Sequence, residues 1–253
     1  MFDKNAVKDS FSRAAVNYDS NAKLQEAIRK KAMVLAKDYF PKKATILDVG
    51  CGTAEFSQEI IELGTNWNVI GVDISYGMCA IASKKNTLVI NADAINLPIK
   101  DESVDCVFSS LALQWVENPI EAIKEILRVL KPGSTAVIST FVRGTLRELE
   151  EAFAAVDSQK HISDFIDPSQ LLLKVVHIDG FVITADEQIY KQHHDNVRSL
   201  MLSIKDIGAN NKLSSRRKGL MTPAQLAKVE KAYKTQDGKI EASWNVLTMA
   251  IGK

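Results

Sequence analysis

The stretch ILDVGCGTAEF sets Gly50 and Gly52 directly after an apolar, β-branched run and just ahead of a helix-like segment. Glycine at such a turn lets the backbone approach a ligand, and the free N–H groups of a helix start favour a nucleotide-type one. A dinucleotide loop needs a third small residue three positions after the second glycine. Here that residue is Glu55. A carboxylate there would face phosphate oxygens, which argues against NAD or FAD and for a phosphate-free ligand with a cationic amino-acid end. Asp48 at the strand tip adds a further acid. Asp73, in VDIS, follows Gly52 by 21 residues, the reach at which a carboxylate accepts both ribose hydroxyls. Asp93, in NADAINLP, is placed to accept an adenine amino group. Singly, a Gly-x-Gly is a turn and an acid after a strand is a helix cap. Three such features after successive strands converge on one sheet edge.

The elements that must hold these residues are legible as short apolar runs alternating with helical periodicity. Strands are expected at 44–49, 68–73, 87–90, 104–108 and 135–140, with helices at 54–63, 76–85 and 118–130 between them. Unbroken apolar runs of this kind belong to strands buried on both faces, so the expected fold is α/β, a doubly wound and mostly parallel Rossmann-like sheet. The helix at 118–130 carries Asn118 as cap, Pro119 in its first turn and Lys131-Pro132-Gly133 at its end. Residues 1–40 read as helix up to Pro41. After Thr140 a helix in RGTLRELEEAFAAVDSQ gives way to an irregular stretch read as a cap over the sheet edge. A strand at 181–189, helices at 195–207 and 223–234 and a last strand at 239–251 complete the reading.

The 253 residues fit one main domain, and 46% hydrophobic content suffices for a core. The 32 basic and 31 acidic residues nearly cancel, so the whole chain has no electrostatic reason to seek nucleic acid or an anionic membrane. Cys51, Cys79 and Cys106 lack the short spacing with histidine of a metal site, and their odd number suits a reducing compartment. With no signal-like start and no apolar run of about 18 residues, a cytoplasmic location is expected.

LDVGCGTAEF, VDIS, NADAINLPI, SVDCVFSSLALQW and RVLKPGS, in that order over roughly 44–141, resemble the class I S-adenosylmethionine-dependent methyltransferases. The resemblance implies a seven-stranded sheet and S-adenosyl-L-methionine as cofactor. It implies that Gly50 and Gly52 hold the methionine part, Asp73 the ribose and Asp93 the adenine. The expected cofactor shell also takes in Asp48, Cys51, Ile74, Met78, Ala94 and Leu111. Ala54, where many members have a third glycine, and Ser134, where Gly-Gly is usual, are departures. Outside the core, FSRAAVNYDSNAKLQ, LALQWVENP, TFVRGTLRELEEAF, VDSQKHISDF and MLSIKDIGAN are similar to the malonyl-acyl-carrier-protein O-methyltransferases of biotin synthesis. That likeness implies one methyltransferase domain: an N-terminal helical lid at 1–40, a cofactor core at 44–141, a substrate cap at 142–180 and the rest of the sheet at 181–253. Tyr18 and Gln25 become lid contacts.

Methylation of a carboxylate needs alignment and desolvation, and no general base, because the nucleophile is already ionised at neutral pH. The histidines at 161, 177, 193 and 194 lie away from the sheet-edge motifs. Arg143, just past the fifth strand, has the planar fork that orients a carboxylate. Gln114 is expected to donate to the same group, and Trp115 and Tyr18 to wall the site. A basic patch of Arg198, Lys205, Lys212, Arg216, Arg217 and Lys218, set against Asp206 alone, is the expected docking surface for an acidic acyl carrier protein. A C- or O-methyltransferase for a quinone-type precursor, and a non-catalytic binding module, are the competing readings.

Overall fold

A computed structural model describes residues 3–85, 87–178, 180–209 and 222–253. Helices α1 (Lys4–Ala14), α2 (Tyr18–Asn21) and α3 (Lys23–Tyr39) lead into β1 (Lys43–Val49), α4 (Glu55–Glu62), β2 (Asn66–Asp73), α5 (Tyr76–Lys84), β3 (Leu88–Asn91) and β4 (Val104–Ser110). A 3-10 turn at Leu113–Trp115 precedes α6 (Pro119–Val129), β5 (Leu130–Phe141), α7 (Arg147–Ala154), α8 (Pro168–Val176) and β6 (Phe181–His194). Helices α9 (Val197–Asp206) and α10 (Pro223–Ala232), the two-residue β7 (Thr235–Gln236) and β8 (Lys239–Gly252) close the chain.

The strands run in the order β3-β2-β1-β4-β5-β8-β6, with β7 off this path and paired with β8. The pairs from β3 to β5 are parallel, whereas β8 runs antiparallel to both β5 and β6. A seven-stranded sheet was expected, whereas among the described residues it has eight strands, the two-residue β7 being the addition. Strand order reverses at β1, which has β2 on one side and β4 on the other, and a doubly wound sheet opens its ligand crevice at such a point.

Both faces of the sheet are covered. Ile46, Cys106 and Phe108 pack with Met33 and Ala36 of α3 and with Phe56 of α4, where the Phe56 and Phe108 rings stack at 3.9 Å. Their neighbours Leu47, Val49 and Val107 point the other way, into a core with Ile123 and Ile126 of α6. Alternation along a strand divides its apolar side chains between two layers, which is why these strands read as unbroken runs. In α6 the Asn118 side chain accepts the Ile120 N–H and Pro119 opens the first turn, as its sequence signals required.

Two segments differ from the sequence reading. The N-terminal helix breaks at Ala15–Asn17 into 3-10 geometry and restarts at α2 and α3. The stretch read as irregular contains α8, capped by the Asp167 side chain with Pro168 in its first turn, and Leu171 and Val175 of α8 are fully buried beside α6.

Candidate active site

The turn after β1 is shaped by contacts on three sides. Gly50 and Cys51 both donate N–H to the Val72 carbonyl, at 2.7 and 3.1 Å. Gly50 lies at φ +76°, and a Cβ there would stand 2.2 Å from that of Ala112. Gly52, at φ +55°, has open space where its Cβ would be, and its N–H donates to Asp73 Oδ2 at 2.9 Å. Ala54, the departure from a glycine-rich loop, keeps a left-handed φ of +66° while buried at the start of α4.

This turn forms the floor of a cavity of about 290 Å³. Among the expected residues, Tyr18, Gly50, Gly52, Asp73, Ile74, Met78, Asp93, Ala94, Leu111 and Trp115 line it. Gln25, Asp48 and Cys51 line a neighbouring recess of about 50 Å³ that shares Tyr18, Gly50 and Gly52. Gln114 lies in a third cavity of about 240 Å³, between the start of α6, the end of β5 and residues 164–166. Arg143 lines none of these three. Its side chain is 68% exposed and its guanidinium pairs with Asp167 at 3.2 Å, although its backbone N–H donates to the Ile166 carbonyl at the edge of the third cavity. Arg198 and Lys205 are exposed on α9, while Lys212, Arg216, Arg217 and Lys218 lie outside the described residues. No histidine lines these cavities. His161 stacks on Phe153 at 3.9 Å with its Nε2 2.9 Å from Asp157.

The acids differ in character. Burial raises the Asp73 carboxyl to about 6, against the opposing pull of the Ser75 and Gly52 N–H groups that it accepts. Burial raises Asp48 further, to about 8; Arg29 acts against the rise and the nearby Asp73 adds to it. At neutral pH Asp73 is therefore mainly a carboxylate acceptor and Asp48 mainly a neutral acid. Asp93 accepts from Lys4 at 2.6 Å. The phenol of Tyr18 is pushed up to about 12 by burial and stays protonated.

Arg29, on α3, escaped the sequence reading. It lines the small recess with a largely buried side chain that donates to both Glu59 oxygens at 3.1 and 3.0 Å, and it lies 3.9 Å from Glu55. Glu55 itself is hydrogen-bonded to Lys85. The i, i+4 relation of Gln25 and Arg29, which puts both on one helix face, was the available signal.

The N-terminal segment forms one wall of the main cavity through Lys4, Val7, Phe11 and Tyr18. The Phe11 ring meets Trp115 edge-on at 5.3 Å. Asp19 reaches Lys85 at 2.8 Å and Thr53 at 2.5 Å, and Ser12 Oγ lies 2.9 Å from Ser75 Oγ and accepts the Gly77 N–H at 3.2 Å.

Residues 47–138 match the family model described as a methyltransferase domain. The chain is 34% identical to the malonyl-[acyl-carrier protein] O-methyltransferase of Yersinia pestis, over 97% of this chain and 90% of that protein. It is 34% identical to the protein of the same name from Xylella fastidiosa strain M23, over 98% and 87%. Among solved structures, a SAM-dependent methyltransferase from Thermotoga maritima shares the fold with a TM-score of 0.57 and 19% identity, covering 97% of this chain and 99% of that one. With relatives above the 30% level along nearly their whole length, the chain belongs to the malonyl-[acyl-carrier protein] O-methyltransferase family.

Proposed function

We propose that this protein transfers the methyl group of S-adenosylmethionine to the free carboxylate of a malonyl thioester on acyl carrier protein, in the cytoplasm, giving the methyl ester used in biotin synthesis. The observation that carries the reading is identity sustained over 97% of the chain, which takes in the regions outside the cofactor core. Among the described residues no helix is long and apolar enough to cross a membrane.

The site suits the cofactor. Gly52 leaves an open cradle beside the Asp73 carboxylate, and the recess behind it offers Gln25, Arg29 and the neutral Asp48 to an amino-acid end. Bound there, S-adenosylmethionine supplies an electrophilic methyl on a sulfonium. Asp73 accepts the ribose hydroxyls, Asp93 faces the adenine edge, and Trp115 with Phe11 excludes water from the reacting end. The substrate carboxylate needs no base. It must, however, displace Asp167 from the Arg143 fork, while Gln114 lines the third cavity, at whose edge Ile166 accepts the Arg143 backbone N–H.

Labelled S-adenosylmethionine and malonyl-carrier protein should yield a labelled carrier that loses its label on mild ester hydrolysis. Arg143→Lys keeps the charge but not the paired donors, so kcat/KM should fall roughly 10–100-fold with cofactor affinity unchanged. Stable label, or full activity of the lysine variant, contradicts the respective assignment.

Gly77 tests the N-terminal wall. A Cβ there would lie 2.6 Å from both Cα and the carbonyl oxygen of Ser12. Alanine is intrinsically the better residue in α5, by about 1 kcal/mol. Gly77→Ala should therefore leave the melting temperature nearly unchanged, speed proteolytic cleavage before residue 23, and weaken S-adenosylmethionine binding about fivefold. Wild-type affinity and cleavage rate would show that the wall does not bear on binding.

A further inference from the structure

Leu111, directly after β4, adopts φ +53° while 9% exposed. A leucine has no polar side chain with which to stabilise a left-handed backbone, so its surroundings must impose it. Its N–H donates to the Ser139 carbonyl at 2.8 Å, and its own carbonyl accepts Gln114 Nε2 at 2.6 Å. The Gln114 amide is itself held one way round by the Leu111 carbonyl, which can only accept, and the buried Thr140 hydroxyl, 3.4 Å from the Phe141 carbonyl, donates to its Oε1 at 3.2 Å. A flipped amide would set oxygen against the Leu111 carbonyl.

The next residue carries the consequence to the cofactor loop, since the Ala112 methyl fills the space a Gly50 side chain would need. Leu111 also lines the main cavity, and Trp115 donates its N–H back to the Ala112 carbonyl at 3.1 Å. We infer that Gln114 is a positioning residue: its amide clamps the strained Leu111 turn and so seats Ala112 on Gly50, joining the substrate-side wall to the cofactor loop. This rests on the reading of the main cavity as the cofactor site. It assigns Gln114 work that a donor to substrate alone would not have.

The test is a double-mutant cycle. Gln114→Met keeps the length of the side chain and loses the clamp, so S-adenosylhomocysteine affinity, measured by calorimetry, should fall about tenfold, the equivalent of one buried hydrogen bond. Glycine adopts a positive φ unaided. In a Leu111→Gly background, whatever that change costs by itself, adding Gln114→Met should then cost little. Thr140→Val should act in the same direction as Gln114→Met, and Thr140→Ser should restore affinity. An unchanged affinity in Gln114→Met, or the same loss in both backgrounds, overturns the clamp.

The same cycle on denaturant unfolding without ligand reads the clamp whatever the cavity binds. Coupling in unfolding, with no ligand binding by wild type, would retain the clamp and overturn the cofactor reading. Additive unfolding energies with normal wild-type binding would do the reverse.

Discussion

Asp73→Asn is expected to weaken S-adenosylmethionine binding roughly 10–100-fold, the equivalent of the ~1.5–3 kcal/mol of a charge-assisted contact. One carboxylate oxygen already accepts the Gly52 N–H and the other the Ser75 N–H. The remaining lone pairs are those offered to ribose. An asparagine presents N–H₂ to one of these donors, so the variant also loosens the glycine turn and should lose about 1 kcal/mol of stability. The two effects separate by measurement: calorimetry reads the affinity, and denaturant unfolding the turn. A stability loss with wild-type affinity would leave Asp73 as a turn residue only. The pH dependence is a second check. The carboxyl sits at about 6 in the free protein, and its share of the affinity for a ligand that binds the ionised form is level above that pH and lost below it, up to tenfold per unit. In Asp73→Asn the fall between pH 7 and 5 should become less steep, by up to tenfold per unit, with only the Asp48 share left.

Asp73 also shows how much of the site was legible in sequence. Its distance from Gly52 gave the placement, because strand, turn and helix lengths in a parallel sheet leave little freedom in where a carboxyl edge falls. The strands themselves read well: Ile46 and Leu47 bury on opposite faces, so no polar residue interrupts the run. Gly50 was legible as a tight turn, but the reason for it, the Ala112 methyl some sixty positions on, was not. Arg29 was missed because its meaning lies in Glu59 and in the recess, which only the packing of α3 against α4 creates. The Asp-Pro pair at the start of α8 was a readable helix signal, passed over in favour of an irregular cap. Arg143 was legible as a cation past β5, but sequence spacing carries no information on Asp167, which holds it in this conformation. Positions set by strand order were open to reading, whereas those set by side-chain partners distant in sequence were not.

Asp48 belongs to the second kind, and its replacement should reshape the pH dependence of the fold. Only 3% exposed, its carboxyl is raised from 3.8 to about 8 by burial, against the pull of Arg29. A carboxyl raised on folding contributes stability in full below its unfolded pKa, and that contribution is lost as pH rises through the folded value. The Asp48 contribution should therefore be lost between about pH 4 and 8. At ~1.4 kcal/mol per unit the shift bounds the loss at about 6 kcal/mol, and a few kcal/mol is expected after local relaxation. Asp48→Asn keeps the shape and cannot ionise, so it should match wild type only at about pH 4 and below and exceed it by a margin that grows up to about pH 8 in denaturant unfolding. Ligand binding completes the cycle. A cationic amino-acid end entering the recess favours the ionised acid, so S-adenosylmethionine should release a proton at pH 7 as it binds. Calorimetry in two buffers of different ionisation enthalpy reads that proton directly. Its presence in wild type and absence in Asp48→Asn would place the ammonium or sulfonium end of the cofactor beside Asp48. Equal release by both proteins would assign the proton elsewhere and leave Asp48 as a neutral wall of the recess.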